Sequence, residues 1–247
     1  MRSIAYPLLL ALALAACATT PPPAERTAVP AGEQSTVAFP WRDGGAFAST
    51  YAPTPSGPVV IRNATILTAA GPRIEGGSIL LENGKVAAVG LSVDIPANAT
   101  VIDAGGKWVT PGVIDAHSHL GVYPSPGVQG LAHGNEATDP NTAEVWAEHA
   151  VWPHDPQFPL ALAGGVTSMQ ILPGSANLFG GRSVTVKNVP ARDVYAMKFP
   201  GAPYGLKMAC GENPSRLYGS RNRAPSTRMG NVAGYRSAWI EAEKYRR

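Results

Sequence analysis

Apolar and polar positions change their period several times along this chain, and each change predicts an element. Runs rich in β-branched residues read as strands over Val59 to Leu67, Ser78 to Glu82, Lys85 to Val89, Thr100 to Asp103 and Lys107 to Val109. Asn83-Gly84 joins two of them. Asn-Gly between apolar strands is a strong hairpin signal, because both central positions of a type I′ turn need positive φ. The segment 58–110 is therefore expected to be a small antiparallel β domain with no candidate catalytic group of its own. Beyond it the period alternates. Val113-Ile114 reads as a buried strand, Thr142 to Ala150 as an amphipathic helix, and Phe158 to Ala163 as a helix stopped by Gly164-Gly165. Val166 to Leu172 follows as a strand, giving the rhythm of βα units. Ser183 to Lys187 reads as a third barrel strand or an associated hairpin, and the apolar residues around Lys207 as a short strand. The spacing of Ala233, Ala238, Trp239, Ile240 and Ala242 predicts a helix from Val232 to Arg247.

Composition changes the picture mainly before Val59. Met1 to Ala16 carries one charge, at Arg2, and an apolar run too short to span a bilayer, and it ends in the small residues Leu14-Ala15-Ala16. It predicts a secretory signal, and the Cys17 that follows resembles a bacterial lipobox, which implies cleavage before Cys17 and lipidation of its thiol. The protein is then expected to be exported, periplasmic and lipid-anchored, with Ala18 rather than Asp pointing to the outer membrane. Residues 17–57, rich in Pro and Ala, read as an extended tether. With Cys17 lipidated, Cys210 is the remaining thiol and no intramolecular disulfide can form; Cys210 is expected to be a small buried residue.

Elsewhere the hydrophobic fraction of 45% is ample for a globular core. The net charge of +3 is uneven, with nine Lys or Arg against three acidic residues from Lys207 onward. A solvated helix face accounts for that excess, and no nucleic-acid-binding motif accompanies it.

The candidate chemistry lies in Val-Thr-Pro-Gly-Val-Ile-Asp-Ala-His-Ser-His-Leu-Gly, residues 109–121. On a strand, residues two apart point to one face, so His117 and His119 stand about 6 to 7 Å apart at the backbone. Two neutral imidazoles converging in this way can share a divalent cation such as zinc, and Asp115 lies on the same face. A bare His-x-His is also compatible with ordinary polar residues at a strand end. Here Pro111, Gly112, Asp115, His117 and His119 resemble, position by position, the Pro-Gly-x-x-Asp-x-His-x-His of the first barrel strand of the amidohydrolase superfamily.

That resemblance implies an α/β architecture: a small N-terminal β-sandwich over 58–110, which returning C-terminal strands complete in the family, followed over 111–247 by the first part of a metal-dependent (β/α)8 barrel. It implies one or two divalent ions, of zinc type, with His117 and His119 as ligands and Lys207 as the candidate for a carboxylated, metal-bridging lysine; Lys187 is the weaker alternative. Asn177, Gly180 and Gly181, at the rim after the second barrel strand, are candidate substrate contacts, although a purely structural turn explains the glycines equally well. His133, His149 and His154 are not assigned as ligands.

A complete barrel needs about 250 residues, and about 137 follow Thr110. The expectation is an N-terminal portion with four of eight βα units, the catalytic Asp of the eighth strand lying downstream and no catalytic residue within this chain. The implied reaction is metal-assisted hydrolysis of a carbon–nitrogen bond in a small cyclic amide or amide-like substrate. Gly-Gly-Val-Thr-Ser with Pro-Gly-Ser-Ala-Asn and Gly-Glu-Asn-Pro resembles the imidazolonepropionase-related branch. A dipeptidase-like metallopeptidase of the same fold and a non-enzymatic truncated lipoprotein are the alternatives. A homo-oligomer is compatible with the chain.

Overall fold

A computed structural model describes residues 48–247. The expected signal peptide, the lipidation site Cys17 and most of the expected tether lie outside the described residues. At the end of that tether, Ser49 Oγ donates to the Lys198 carbonyl at 2.7 Å and Thr50 N to the Tyr195 carbonyl at 3.0 Å, so the chain is attached to the later domain before its first strand. Among the described residues no helix is long and apolar enough to cross a membrane.

The first sheet holds β1 (Val59–Ile66), β2 (Ile74–Glu82), β3 (Lys85–Gly90), β4 (Thr100–Asp103) and β5 (Trp108–Val109). Its order is β3-β2-β1-β4, with β5 also pairing β1. Asn83 and Gly84 both have positive φ, 52° and 71°, as the hairpin between β2 and β3 requires. The expected wholly antiparallel domain is corrected at one point: β4 and β5 run parallel to β1. Residues 91–99 carry the chain back to the start of β1, where Thr100 N donates to the Pro58 carbonyl at 2.9 Å. The Gly105-Gly106 turn then moves it sideways, so that Thr65 N donates to the Lys107 carbonyl at 3.0 Å. Among the described residues no second sheet covers this one.

The second part is built on β6 (Val113–Ser118), α1 (Gln157–Ala163) and β7 (Val166–Ile171). β6 and β7 are parallel neighbours, and β9 (Val184–Lys187) lies antiparallel on the other side of β7. Ile171, Met169, Val184, Val186, Met197 and Phe158 form the core between this sheet and its surroundings. The buried Asn188 links the layers, its Nδ2 donating to the carbonyls of Phe158 and Val166 at 3.0 Å each.

Several expectations change here. Val113 and Ile114 are 53% and 71% exposed rather than buried, because β6 is an edge strand of its sheet among the described residues. The segment 142–150 is not a helix beyond a single 3-10 turn at Ala147–His149. Residues 141–146 are tied at both ends to β8 (Phe179–Arg182), by Thr142 N to the Phe179 carbonyl at 2.8 Å and Arg182 N to the Val145 carbonyl at 2.7 Å, with a turn at Ala143-Glu144 between. Ser183 to Lys187 is the hairpin alternative and not a third parallel strand. β10 (Leu206–Met208) pairs β8 antiparallel. One parallel βαβ unit, β6-α1-β7, is therefore present among the described residues where four βα units were expected. α2 (Glu212–Gly219) and α3 (Arg228–Arg246) follow, with Thr227 capping α3 through Gly230 N. Cys210 is exposed, not buried, because β10 stops at Met208.

Two buried contacts hold the long excursion from β6 to α1. Asp155, 1% exposed, accepts Gly121 N at 2.9 Å and Gln157 N at 3.0 Å, tying the turn after the histidines to the start of α1. Glu148 and Lys198 form a buried ion pair at 2.7 Å, joined by the Tyr204 hydroxyl, which donates to Glu148 at 2.9 Å.

These contacts set two expectations. Replacing Asp155 by Ala removes charged hydrogen bonds from a buried site and is expected to cost about 1.5–3 kcal/mol, read as a lower urea midpoint at constant slope. Gly181 has φ +110°, and a Cβ there would lie 2.5 Å from Val145 Cγ2 and 2.6 Å from the Val145 carbonyl oxygen. Gly181→Ala should lower stability by about 1–3 kcal/mol. Adding Val145→Ala should recover only part of the loss, since the carbonyl clash remains.

Candidate metal centre and its cleft

The end of β6 presents the two histidines. Their ring centroids are 5.2 Å apart at 76°, a convergence that survives an irregularity in the β6–β7 register between Asp115 and Ser118. His119 Nδ1 donates to the Leu172 carbonyl at 2.9 Å, across to the end of β7. The carbonyl can only accept, so this bond puts the proton on Nδ1 and leaves the Nε2 lone pair free, the arrangement a metal-binding imidazole needs. Burial lowers the pKa of His119, opposed by the Leu172 carbonyl, so burial favours the neutral form. Asp115 braces the end of β6 through its Oδ1, which accepts His117 N at 3.0 Å.

Lys207 reaches the same place from β10. Its Nζ lies 3.2 Å from His117 Nε2. The side chain is 5% exposed, and among the described residues no carboxylate pairs with it. Burial lowers its pKa by disfavouring the ammonium form. The structure thus joins His117, His119 and Lys207, residues that lie 90 positions apart in the chain at their widest hydrogen-bonded separation. Lys187, the weaker alternative, lies elsewhere, its Nζ 4.4 Å from the centre of the Phe199 ring. Two imidazoles and an amine are a donor set that suits a borderline divalent metal. Among the described residues no group of three or more His, Cys, Asp or Glu side chains is placed to hold one.

The remaining candidates fall into the surrounding wall. Asn177 is 1% exposed, with Nδ2 donating to the carbonyls of Glu136 at 2.6 Å and Asp139 at 2.7 Å and to Thr142 Oγ1 at 3.0 Å. It holds the 136–142 segment in place instead of facing an open surface as a substrate contact would. Gly180 and Gly181 are buried on β8. A Cβ on Gly180 would lie 3.4 Å from Lys207 Cγ, so this glycine makes room for the lysine stem, whereas Gly181 makes room for Val145. Gly180 also lines a cleft of about 350 Å³ with Val122, His133 and Pro173. His133 is exposed and bonds the Gly130 carbonyl at 2.9 Å, and His149 and His154 are exposed.

A cleft of about 540 Å³ opens beside His119, lined also by Tyr123, Asn135, Ser175, Asn213 and Arg216. Tyr123 meets the His119 ring edge to face, centroids 5.7 Å apart. Sequence reasoning missed Tyr123 and Asn135. Tyr123 was findable from its position four residues past His119, but Asn135 carries no local signal, because its partners come from distant segments.

No family model matches the chain. The amidohydrolase tasK of Hapsidospora irregularis is 36% identical over 215 residues, which is 76% of this chain and 22% of that protein. The imidazolonepropionase of Geobacillus kaustophilus (strain HTA426) is 52% identical over 54 residues, 19% of this chain and 13% of that protein. Among solved structures, an amidohydrolase from Thermotoga maritima MSB8 superposes with a TM-score of 0.70 at 41% identity, covering 76% of this chain and 48% of that one. The chain spans about a fifth or less of these curated relatives' length and about half of the solved structure's. Sequence and fold alike support kinship of this mixed α/β chain with the amidohydrolase superfamily.

Proposed function

We propose that this chain supplies part of the metal site and the substrate cleft of a metal-dependent amidohydrolase that cleaves a carbon–nitrogen bond in a small amide or cyclic amide. The observation that carries the reading is the convergence of His117 Nε2, the free Nε2 of His119 and the buried Lys207 amine at the ends of β6 and β10. A bound zinc-type ion supplies Lewis acidity, polarising a carbonyl and bringing the pKa of water to about 7. His117 and His119 would hold it as neutral donors, His119 oriented through Nδ1 by the Leu172 carbonyl. Lys207 has the attributes of a lysine that takes up carbon dioxide: a buried amine with a lowered pKa and no carboxylate partner among the described residues. The ammonium first loses one proton, and the neutral amine with carbon dioxide then gives a carbamate and a second proton, so that Lys207 would offer an anionic oxygen ligand in place of a cation. From the sequence of residues 1–17, we further propose export and lipid anchoring through Cys17, which places this chemistry at a bacterial periplasmic membrane surface.

Two measurements test the site. Zinc titration of the whole chain, followed by competition with a chromophoric chelator, is expected to show binding that weakens at least about tenfold in His117→Ala and again in His119→Ala. Equal affinity in the wild type and both variants removes these residues from the ligand set. With 13C-bicarbonate at alkaline pH, which raises the neutral fraction of an amine that burial already disfavours as ammonium, a carbamate carbon resonance is expected in the wild type and absent in Lys207→Arg. A resonance that persists in the variant assigns the carbamate to another amine.

A further inference from the structure

Tyr123 leaves the histidine turn with its backbone N–H donating to the His119 carbonyl at 3.1 Å. Its ring stands edge to face against the His119 imidazole, and the residue lines the cleft beside it. Asn135 sets what the phenol can do there. Its Oδ1 accepts Ala176 N at 3.1 Å, so its Nδ2 faces Tyr123 and donates to the phenol oxygen. A hydroxyl that accepts from an amide keeps its own proton for a further acceptor. Among the described residues no acceptor takes it.

Two glycines make the arrangement possible. A Cβ on Gly134 would lie 2.2 Å from the Tyr123 ring, and one on Gly174 would lie 2.4 Å from its hydroxyl oxygen. The phenol is thus gripped by backbone at ring and oxygen, next to a candidate metal ligand, with one donor unused. A donor fixed before ligand arrives loses little entropy on binding, which is how active sites place polar groups against a polarised carbonyl.

We infer that Tyr123, positioned by Asn135, donates its hydroxyl proton in a hydrogen bond to the carbonyl oxygen of an amide held in the cleft beside His119. The identity of the ligand as an amide rests on the proposed hydrolase reading; the free donor does not. Tyr123 touches the substrate and orients its carbonyl. Asn135 acts on the substrate through Tyr123.

The probe is hydantoin labelled with 13C at its carbonyls, added to the whole metal-free chain, with affinity read by calorimetry and the carbonyl stretch by isotope-edited infrared spectroscopy. In the wild type the stretch is expected to move to lower wavenumber on binding. Tyr123→Phe keeps the ring against His119 and removes only the donor, so affinity should fall about tenfold, the size of one hydrogen bond, and the shift should disappear. Asn135→Asp should give the same loss with the phenol still present, because a carboxylate only accepts and draws the phenol proton to itself. A purely structural role for Asn135 would lower the melting temperature without moving the stretch of the bound probe. Unchanged affinity and stretch in Tyr123→Phe overturns the inference, as does failure of the wild type to bind hydantoin at millimolar concentration. Loss of zinc binding or turnover with the probe still bound overturns the hydrolase reading and leaves the donor in place.

Discussion

The site depends on how two neighbouring parallel strands end. Leu172, just past β7, is clasped on both sides of its peptide by the end of β6: its N–H donates to the Ser118 carbonyl at 3.0 Å, and its carbonyl accepts His119 Nδ1 at 2.9 Å. The first bond fixes register and the second fixes an imidazole tautomer. A strand ladder thereby passes directly into the chemistry, since the ring that finishes the pairing is the ring that offers a lone pair. Any slip of β6 against β7 would carry His119 away from Leu172 and so release the bond that fixes its tautomer.

Around that clasp the chain packs backbone where side chains usually stand. Gly174 and Gly134 let Tyr123 lie against main chain, Gly180 admits the Lys207 stem, and Gly181 lets residues 141–146 run beside β8. The buried polar groups at the periphery have the same logic. Asn177 reaches two carbonyls of the 136–142 segment, and the Tyr218 hydroxyl donates to the Asp139 carbonyl at 2.6 Å, so an irregular wall is satisfied by side-chain donors in place of a ladder.

How much of this was legible in the sequence follows from which signals are local. The hairpin at Asn83-Gly84, the helix ending at Gly164-Gly165 and the strand before Pro173 are written in turn chemistry and period, and the structure has them where the pattern predicts. Alternation encodes which face a residue takes but not which way a strand runs, so the parallel β4 was invisible and β9 stayed open between a barrel strand and the hairpin it forms. The apolar spacing of 142–150 satisfies a helix, yet backbone bonds to β8 break it into a turn and a single 3-10 turn, a tertiary effect that no local propensity reports. His117 and His119 could be paired from their spacing, whereas Asn135 and the packing role of Gly180 depend on contacts made tens of residues away. Lys207 was reached only through family resemblance, since nothing in its neighbours shows that it meets His117.

The separation between His119 and Leu172, 53 residues closed by one hydrogen bond, has a bearing on how such a protein can change. The excursion between them holds Tyr123 and Asn135, whereas the donors that would grip a metal sit on the strands at its base and across the sheet. Closing a flexible loop twice as long costs only about 0.6 kcal/mol more. The loop between Gly121 and Asp155, whose ends the Asp155 carboxylate ties together, can therefore vary in length without loosening the imidazoles. In the proposed hydrolase, what is chosen and how it reacts would be coded in separable stretches of the chain, so that new selectivity could come by insertion and deletion while the imidazoles stay in place.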